Sequence, residues 1–148
     1  GLGDVYKRQA SIIFCINGVD VYPVDGAVPH SCQEEFYVQT RDLLRELKYL
    51  KEFTANERKP YVRFTKGSLV MPTSTGKCST RVEIDGHSDI TFAFSLPEML
   101  DAVRQFKDES RIKLKVNSAV SPVILEAEGR GDFALVCPAR LTDRLLAA

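Results

Sequence analysis

Apolar residues recur along this chain with two spacings, and the switches between them mark out its elements. Phe36 to Gln39 alternates as a half-buried strand. Leu43, Leu44, Leu47 and Leu50 then fall on one face of a helix, predicted to run to about Phe53. Thr40 is its expected N-cap, and Asp42 lies in the first turn, where negative charge suits the helix dipole. Strands are predicted over Tyr61 to Thr65, Ser68 to Met71 and Ser79 to Ile84. Lys66-Gly67 is a turn, residues 72–76 and 56–60 are loops, and Asp85-Gly86 turns the chain after the third strand. Ile90 to Phe94 alternates again, and Ser95 with Glu98 reads as a capping box. Met99, Leu100, Val103 and Phe106 form a second helical stripe, and Arg111 to Val116 a further strand. Val123 to Glu126 and Phe133 to Val136 read as a hairpin around Gly129-Arg130-Gly131-Asp132, its glycines allowing positive φ. Pro138 ends the second of these strands, because proline cannot donate to a ladder.

The two halves repeat. Displaced by 56 positions, Phe36, Val38, Leu43, Leu44, Leu47 and Leu50 land on Phe92, Phe94, Met99, Leu100, Val103 and Phe106. Every apolar position meets an apolar one, so the order strand-helix-strand-strand-strand occurs twice. The implied class is α+β, a duplicated β-α-β-β-β unit with two helices on one face of a mostly antiparallel sheet.

Composition narrows the function. The 148 residues are 44% hydrophobic and 27% charged with zero net charge, which suits one globular domain and predicts no nucleic-acid binding from global charge. Any such contact has to come from local patterning. Cys15, Cys32, Cys78 and Cys137 form no C-x-x-C, and only His30 and His87 join them. They read as reduced thiols of a cytoplasmic protein, with no metal and no cofactor expected. No apolar run reaches the roughly 18 residues of a membrane span. Ser74-Thr75-Gly76-Lys77-Cys78 lacks the first glycine and the hydroxyl of a phosphate-binding loop. Nothing orients a Cys78–His87 pair as nucleophile and base, so no catalytic residue is assigned and no enzyme is expected. Asn17-Gly18 lies between β-prone runs as a hairpin turn, and residues 25–34 read as a linker. Asp4 to Gln9 resembles the translation of a sequencing-library adaptor, so residues 1–9 are set aside and the chain is expected to be the C-terminal part of a longer protein.

Several stretches resemble one family. Val120-Ser121-Pro122-Val123-Ile124, a variable turn, and a strand closing in Pro138-Ala139-Arg140-Leu141 are similar to the C-terminal end of the bacterial sliding clamp, the beta subunit of DNA polymerase III. Ile90 to Lys107 resembles the strand and helix before that hairpin, and Arg41-Asp42-Leu43-Leu44 with Phe53 to Arg63 the opening of the same third domain. The resemblance implies a clamp C-terminal domain over 35–141, preceded over 10–34 by a hairpin and linker from the end of a preceding domain and followed by a tail over 142–148. It implies a bacterial or phage processivity factor that encircles duplex DNA and tethers the replicative polymerase. The alternative is a clamp-like adaptor that binds a replication protein without encircling DNA.

Site residues follow from that resemblance. Arg41, Arg45 and Lys48 lie opposite the leucine stripe, and with Arg104 they are the expected non-specific contacts to DNA phosphates. Phe53 is the expected subunit-interface residue of a self-associating ring. Val120, Ser121, Leu135, Val136, Cys137, Pro138, Ala139, Arg140 and Leu141 are the expected groove for short peptide motifs of the polymerase catalytic subunit and the clamp loader. Clamps usually stop at the Arg-Leu pair, whereas this chain continues for seven residues, placed to fold over the groove through Leu145 and Leu146.

Overall fold

The computed structural model describes residues 12–14, 33–128 and 131–148, the first three by their backbone alone. The adaptor-like segment, the Asn17-Gly18 hairpin turn, the linker up to residue 32, Gly129 and Arg130 lie outside the described residues. The elements in chain order begin with β1 (Ile12–Phe14), β2 (Glu34–Gln39), α1 (Thr40–Lys51), β3 (Tyr61–Thr65), β4 (Ser68–Thr73), β5 (Gly76–Arg81) and β6 (Asp85–Gly86). Then come β7 (Phe92–Ser95), α2 (Leu96–Arg104), β8 (Arg111–Val116), β9 (Val123–Ala127), β10 (Phe133–Val136), β11 (Pro138–Ala139) and α3 (Asp143–Ala147).

The duplication is present, and its two copies exchange strands. The first repeat is β2-α1-β3-β4-β5 with β6, and the second is β7-α2-β8-β9-β10 with β11. The six-stranded sheet runs β1-β10-β9-β8-β2-β6 and the five-stranded sheet β11-β7-β3-β4-β5. Each repeat therefore places its first strand in the other's sheet: β2 pairs with β8 (Phe36 opposite Leu114), and β7 with β3 (Phe94 opposite Val62). The short strands return to their own repeat, β6 to β2 and β11 to β7. All these pairings are antiparallel; β1 lies parallel to β10 at the edge. The two helices pack side by side over the inner faces.

The leucine stripe explains the first helix: Leu43, Leu47 and Leu50 are buried in it. Helices α1 and α2 start without a bond from the N-cap side chain, which corrects the expected roles of Thr40 and of the Ser95 hydroxyl. Gln39 and Ser95 are the N-cap residues, and neither side chain makes a capping bond. The β-ladders do the work instead. Thr40 N donates to Ser110 O at 3.1 Å and Leu96 N to Pro60 O at 2.9 Å, so each first helical N–H prolongs the pairing of its preceding strand. Other boundaries move for related reasons. α1 stops at Lys51, two residues before Phe53. Pro72 and Thr73 continue β4 opposite β5 rather than forming a loop, Pro72 standing opposite Lys77. Asp85-Gly86 is a strand against Tyr37 and Phe36 rather than a turn. Pro138 ends β10 as expected but opens β11, because the chain there crosses to the other sheet.

Phenylalanines join the sheets at the centre. Phe36 of the six-stranded sheet stacks on Phe64 of the other at 5.5 Å between centroids, and Phe64 stacks on Phe92 at 4.9 Å. In β7 the expected alternation is absent: Phe92, Ala93 and Phe94 are all buried. The extra cover comes from α3, whose Leu145 packs with Ala93 and Ala139 on the face away from the helices.

Candidate nucleic-acid and peptide interfaces

The exposed side of α1 carries the basic residues. Because its leucines point inward, Arg41, Arg45 and Lys48 are turned outward, and all three are exposed. They line one hollow with Leu44, Tyr49, Glu52 and Lys107, which makes four cations against one carboxylate. Arg45 is partly neutralised, lying 3.3 Å from Asp42 and 3.5 Å from Glu46. Arg41 and Lys48 make no ion pair among the described residues. Arg104 is not in this group. It lines a smaller hollow with Lys51, Pro97, Leu100 and Asp101, and its guanidinium lies 3.3 Å from Asp101.

The two hollows are counterparts under the internal repeat. Arg41, Leu44, Arg45 and Lys48 correspond at 56 positions to Pro97, Leu100, Asp101 and Arg104, and Lys51 to Lys107. The copies have diverged in charge, so basic character is concentrated on the α1 side. Lys107 is absent from the sequence-based set. The alignment of Lys51 with Lys107 does not reveal it, because which cations share a hollow depends on how α1 and α2 pack.

Phe53 lies just past α1, is 46% exposed, and meets the exposed Tyr49 ring edge-on at 5.2 Å. Helix α1 packs against β5, which is an edge strand of the five-stranded sheet. Cys78 on that strand is buried, and burial pushes its thiol above its ordinary value, against the hydrogen bond from Tyr49. Its partner is thus Tyr49, while His87 Nε2 is engaged by Glu34 and Asp89. The two groups considered as nucleophile and base have separate partners.

The residues expected to form a peptide groove are divided. Val120 stands 81% exposed on the loop after β8, with Ser121 beside it, the Ser118 and Ser121 hydroxyls 2.8 Å apart. Leu135, Val136, Cys137 and Ala139 are buried, Pro138 and Leu141 are half-buried, and Arg140 is exposed. An open wall made of Val120, Leu135 and Cys137 is therefore not what the described residues form: two of its three members are covered. Strand β10 faces the core through Ala134 and Val136, and Leu135 between them and Cys137 after them are buried as well.

The tail is docked. Thr142 caps α3, its Oγ1 accepting from Leu145 N at 3.3 Å. The Arg63 guanidinium reaches the other end of α3, donating to the carbonyls of Leu145, Leu146 and Ala148 at 2.7, 2.9 and 2.9 Å. Those carbonyls carry the negative end of the helix, so the cation is well placed. Leu145 is buried and Leu146 is 53% exposed, so only one of the two leucines expected to fold inward does so. The outer face of the six-stranded sheet is by contrast charged. Arg111 forms a two-point bond to Glu128 at 2.7 and 2.9 Å and lies over the Tyr37 ring, and that bond holds the Glu128 carboxyl below its usual range.

Among the described residues no helix is long and apolar enough to cross a membrane. No protein-family model matches the sequence, and no curated protein matches it. Solved structures do match by fold. One described as a DNA polymerase III beta subunit, from Eubacterium rectale, is 22% identical with a TM-score of 0.70, over 84% of this chain and 35% of that one. The DNA polymerase III beta subunit of Thermotoga maritima is 15% identical with a TM-score of 0.69, again over 84% and 35%. A DnaN sliding clamp from Bartonella birtlesii bound to griselimycin is 14% identical with a TM-score of 0.67, over 82% and 35%. The chain thus spans about a third of the length of the solved structures it matches, and it has the fold of one domain-sized part of them.

Proposed function

We propose that this chain is the third-domain type of a bacterial or phage DNA sliding clamp. In the full-length protein it would help encircle duplex DNA in the cytoplasm and tether a polymerase, with no chemistry of its own. The observation that carries this reading is the helix pair of the duplicated fold, whose exposed hollow presents Arg41, Arg45, Lys48 and Lys107. Contact with duplex phosphates needs only positive charge at a suitable distance, and it carries no sequence information. Phe53, Tyr49 and the β5 edge would form the seam with a neighbouring subunit, since an edge strand is a template for pairing.

The test is a titration of the isotope-labelled chain with short duplexes of unrelated sequence at low salt. Shifts are expected at Arg41, Arg45, Lys48 and Lys107, alike for every duplex and fading as salt rises. Absent shifts, or shifts that depend on sequence, would overturn the DNA-encircling reading and leave the adaptor reading.

The partner site belongs to the same proposal. A peptide of the polymerase-tail type, with glutamine, aliphatic and aromatic residues, would enter beside Val120 and Leu141, where the docked tail competes with it. Deleting residues 142–148 is expected to strengthen peptide binding, because Leu145 then leaves the apolar surface of Ala93 and Ala139. The readout is the shift of Val120, Leu135 and Leu141. If millimolar peptide moves none of them, with or without the tail, the groove assignment fails.

A further inference from the structure

We propose that Glu34, His87 and Asp89 form a binding site for one divalent transition-metal ion of the zinc class, apart from the surfaces discussed above. The fold builds this site around a fixed carboxylate. Strand β6 pairs with β2 at Gly86 and Phe36, which brings the next residue, His87, alongside Glu35. His87 N donates to Glu35 O at 3.2 Å. Gly86 has φ +131°, and a Cβ there would lie 2.6 Å from Glu35 O, so the strand can approach this closely only through glycine. The chain then turns back, and Asp89 N and Ile90 N donate to the two Glu34 carboxylate oxygens at 2.6 and 2.8 Å. Glu34 is only 4% exposed, so its carboxylate is oriented before any ligand arrives. Such outer bonds are what fix a metal-ligating carboxylate.

The spacing of the donor atoms fits a metal ion. His87 Nε2 lies 3.2 Å from Glu34 Oε2 and 3.2 Å from Asp89 Oδ2. Zinc holds such ligands at about 2.0–2.2 Å, which sets neighbouring donors about 3.0 to 3.5 Å apart for right-angled to tetrahedral arrangements. All three donors lie within 4.8 Å of one another. The remaining pair closes by rotation of Asp89, whose side chain is 61% exposed. One imidazole with two carboxylates favours zinc and its neighbours over magnesium or calcium, which take oxygen alone. The His87 side chain is 65% exposed, so an ion enters without opening the fold and keeps water on its free side. Lys66 Nζ, 3.6 Å from Asp89 Oδ1, is the one cation beside the cluster among the described residues, and it lowers the affinity. Cysteine spacing gives no sign of the site, because its ligands come from a strand start and a distant loop. A bound ion would clip the start of the first repeat to the connection that leads into the second.

A protonated His87 bridging two carboxylates would satisfy the same distances, and zinc separates the two cases. The full chain is titrated with zinc ion alone, above the ordinary imidazole pKa, and the His87 ring is followed by NMR. Saturable one-to-one shifts are expected at Glu34, His87 and Asp89, with none from magnesium. His87→Ala and Asp89→Asn should each weaken them by about tenfold or more, the least expected when a ligand is lost. Both side chains are exposed, so neither change threatens the fold. An unmoved His87 ring at millimolar zinc, or shifts that persist in both variants, would overturn the proposal.

Discussion

Arg41→Glu, Arg45→Glu and Lys48→Glu together are expected to abolish retention of the full-length protein on duplex DNA. A charge pair at contact is worth about 1 kcal/mol in water, so turning three attractions into repulsions swings the balance by about 6 kcal/mol before screening. A loss of roughly 100-fold or more should survive physiological salt. Losing three phosphate contacts should also flatten the dependence of log K on log salt by about 2.7. Arg41 and Lys48 should matter more than Arg45, which Asp42 and Glu46 already engage. Arg104→Glu should do least, because Arg104 lies in the other hollow beside Asp101. Retention is read from the lifetime of the loaded protein on circular DNA over a salt series. An unchanged lifetime at every salt concentration would remove the role assigned to α1.

Phe64→Ala is expected to cost about 3–5 kcal/mol, the usual range for truncating a buried phenylalanine. Domains of this kind are held by about 5–15 kcal/mol in all, so the variant should lose a large share of its stability. The cost should fall at the top of the range because Phe64 stacks on both Phe36 and Phe92 and so joins the two sheets. Thermal unfolding should move down by about 10–20 °C. Phe53→Ala, at a residue 46% exposed, should stay within about 0.5 kcal/mol in the isolated chain. Equilibrium urea unfolding of both variants checks the contrast. A loss below about 1 kcal/mol for Phe64→Ala would mean that the stack does not hold the sheets together.

Period was readable in this sequence and partnership was not. The stripe of Leu43, Leu47 and Leu50 and the alternation over Arg111 to Val116 gave the helices and strands, because burial on one face imposes a period on each. The displacement of 56 found the duplication. It could not reveal that β2 pairs with β8, since strand pairing depends on contacts across the whole chain. It also drifts past the helices: β3 and β8 start 50 positions apart, because α2 and the loop after it are each three residues shorter than α1 and its loop. Thr40 lies one residue past the N-cap, and Ser95 holds the N-cap position without a side-chain bond, because residue type suggests a cap while the ladder, not the side chain, satisfies the first helical N–H. The basic side of α1 was visible as Arg41, Arg45 and Lys48. Its sharing with Lys107 needed the tertiary fold, as did the burial of Leu135 and Cys137.

The exchange of first strands has a consequence for descent and for folding. Neither repeat closes a sheet alone: β3-β4-β5 lacks β7, and β8-β9-β10 lacks β2. A half-length ancestor carrying one repeat would have met the same need by pairing with a second copy, each lending its first strand to the other, as an isologous dimer does. Fusing two such genes would convert that association into a single chain and free the copies to diverge, as Arg45 and Asp101 have. The cost is kinetic. The core must wait for contacts between distant parts of the chain, so this domain should fold slowly and in one step, with no stable half-domain on the way.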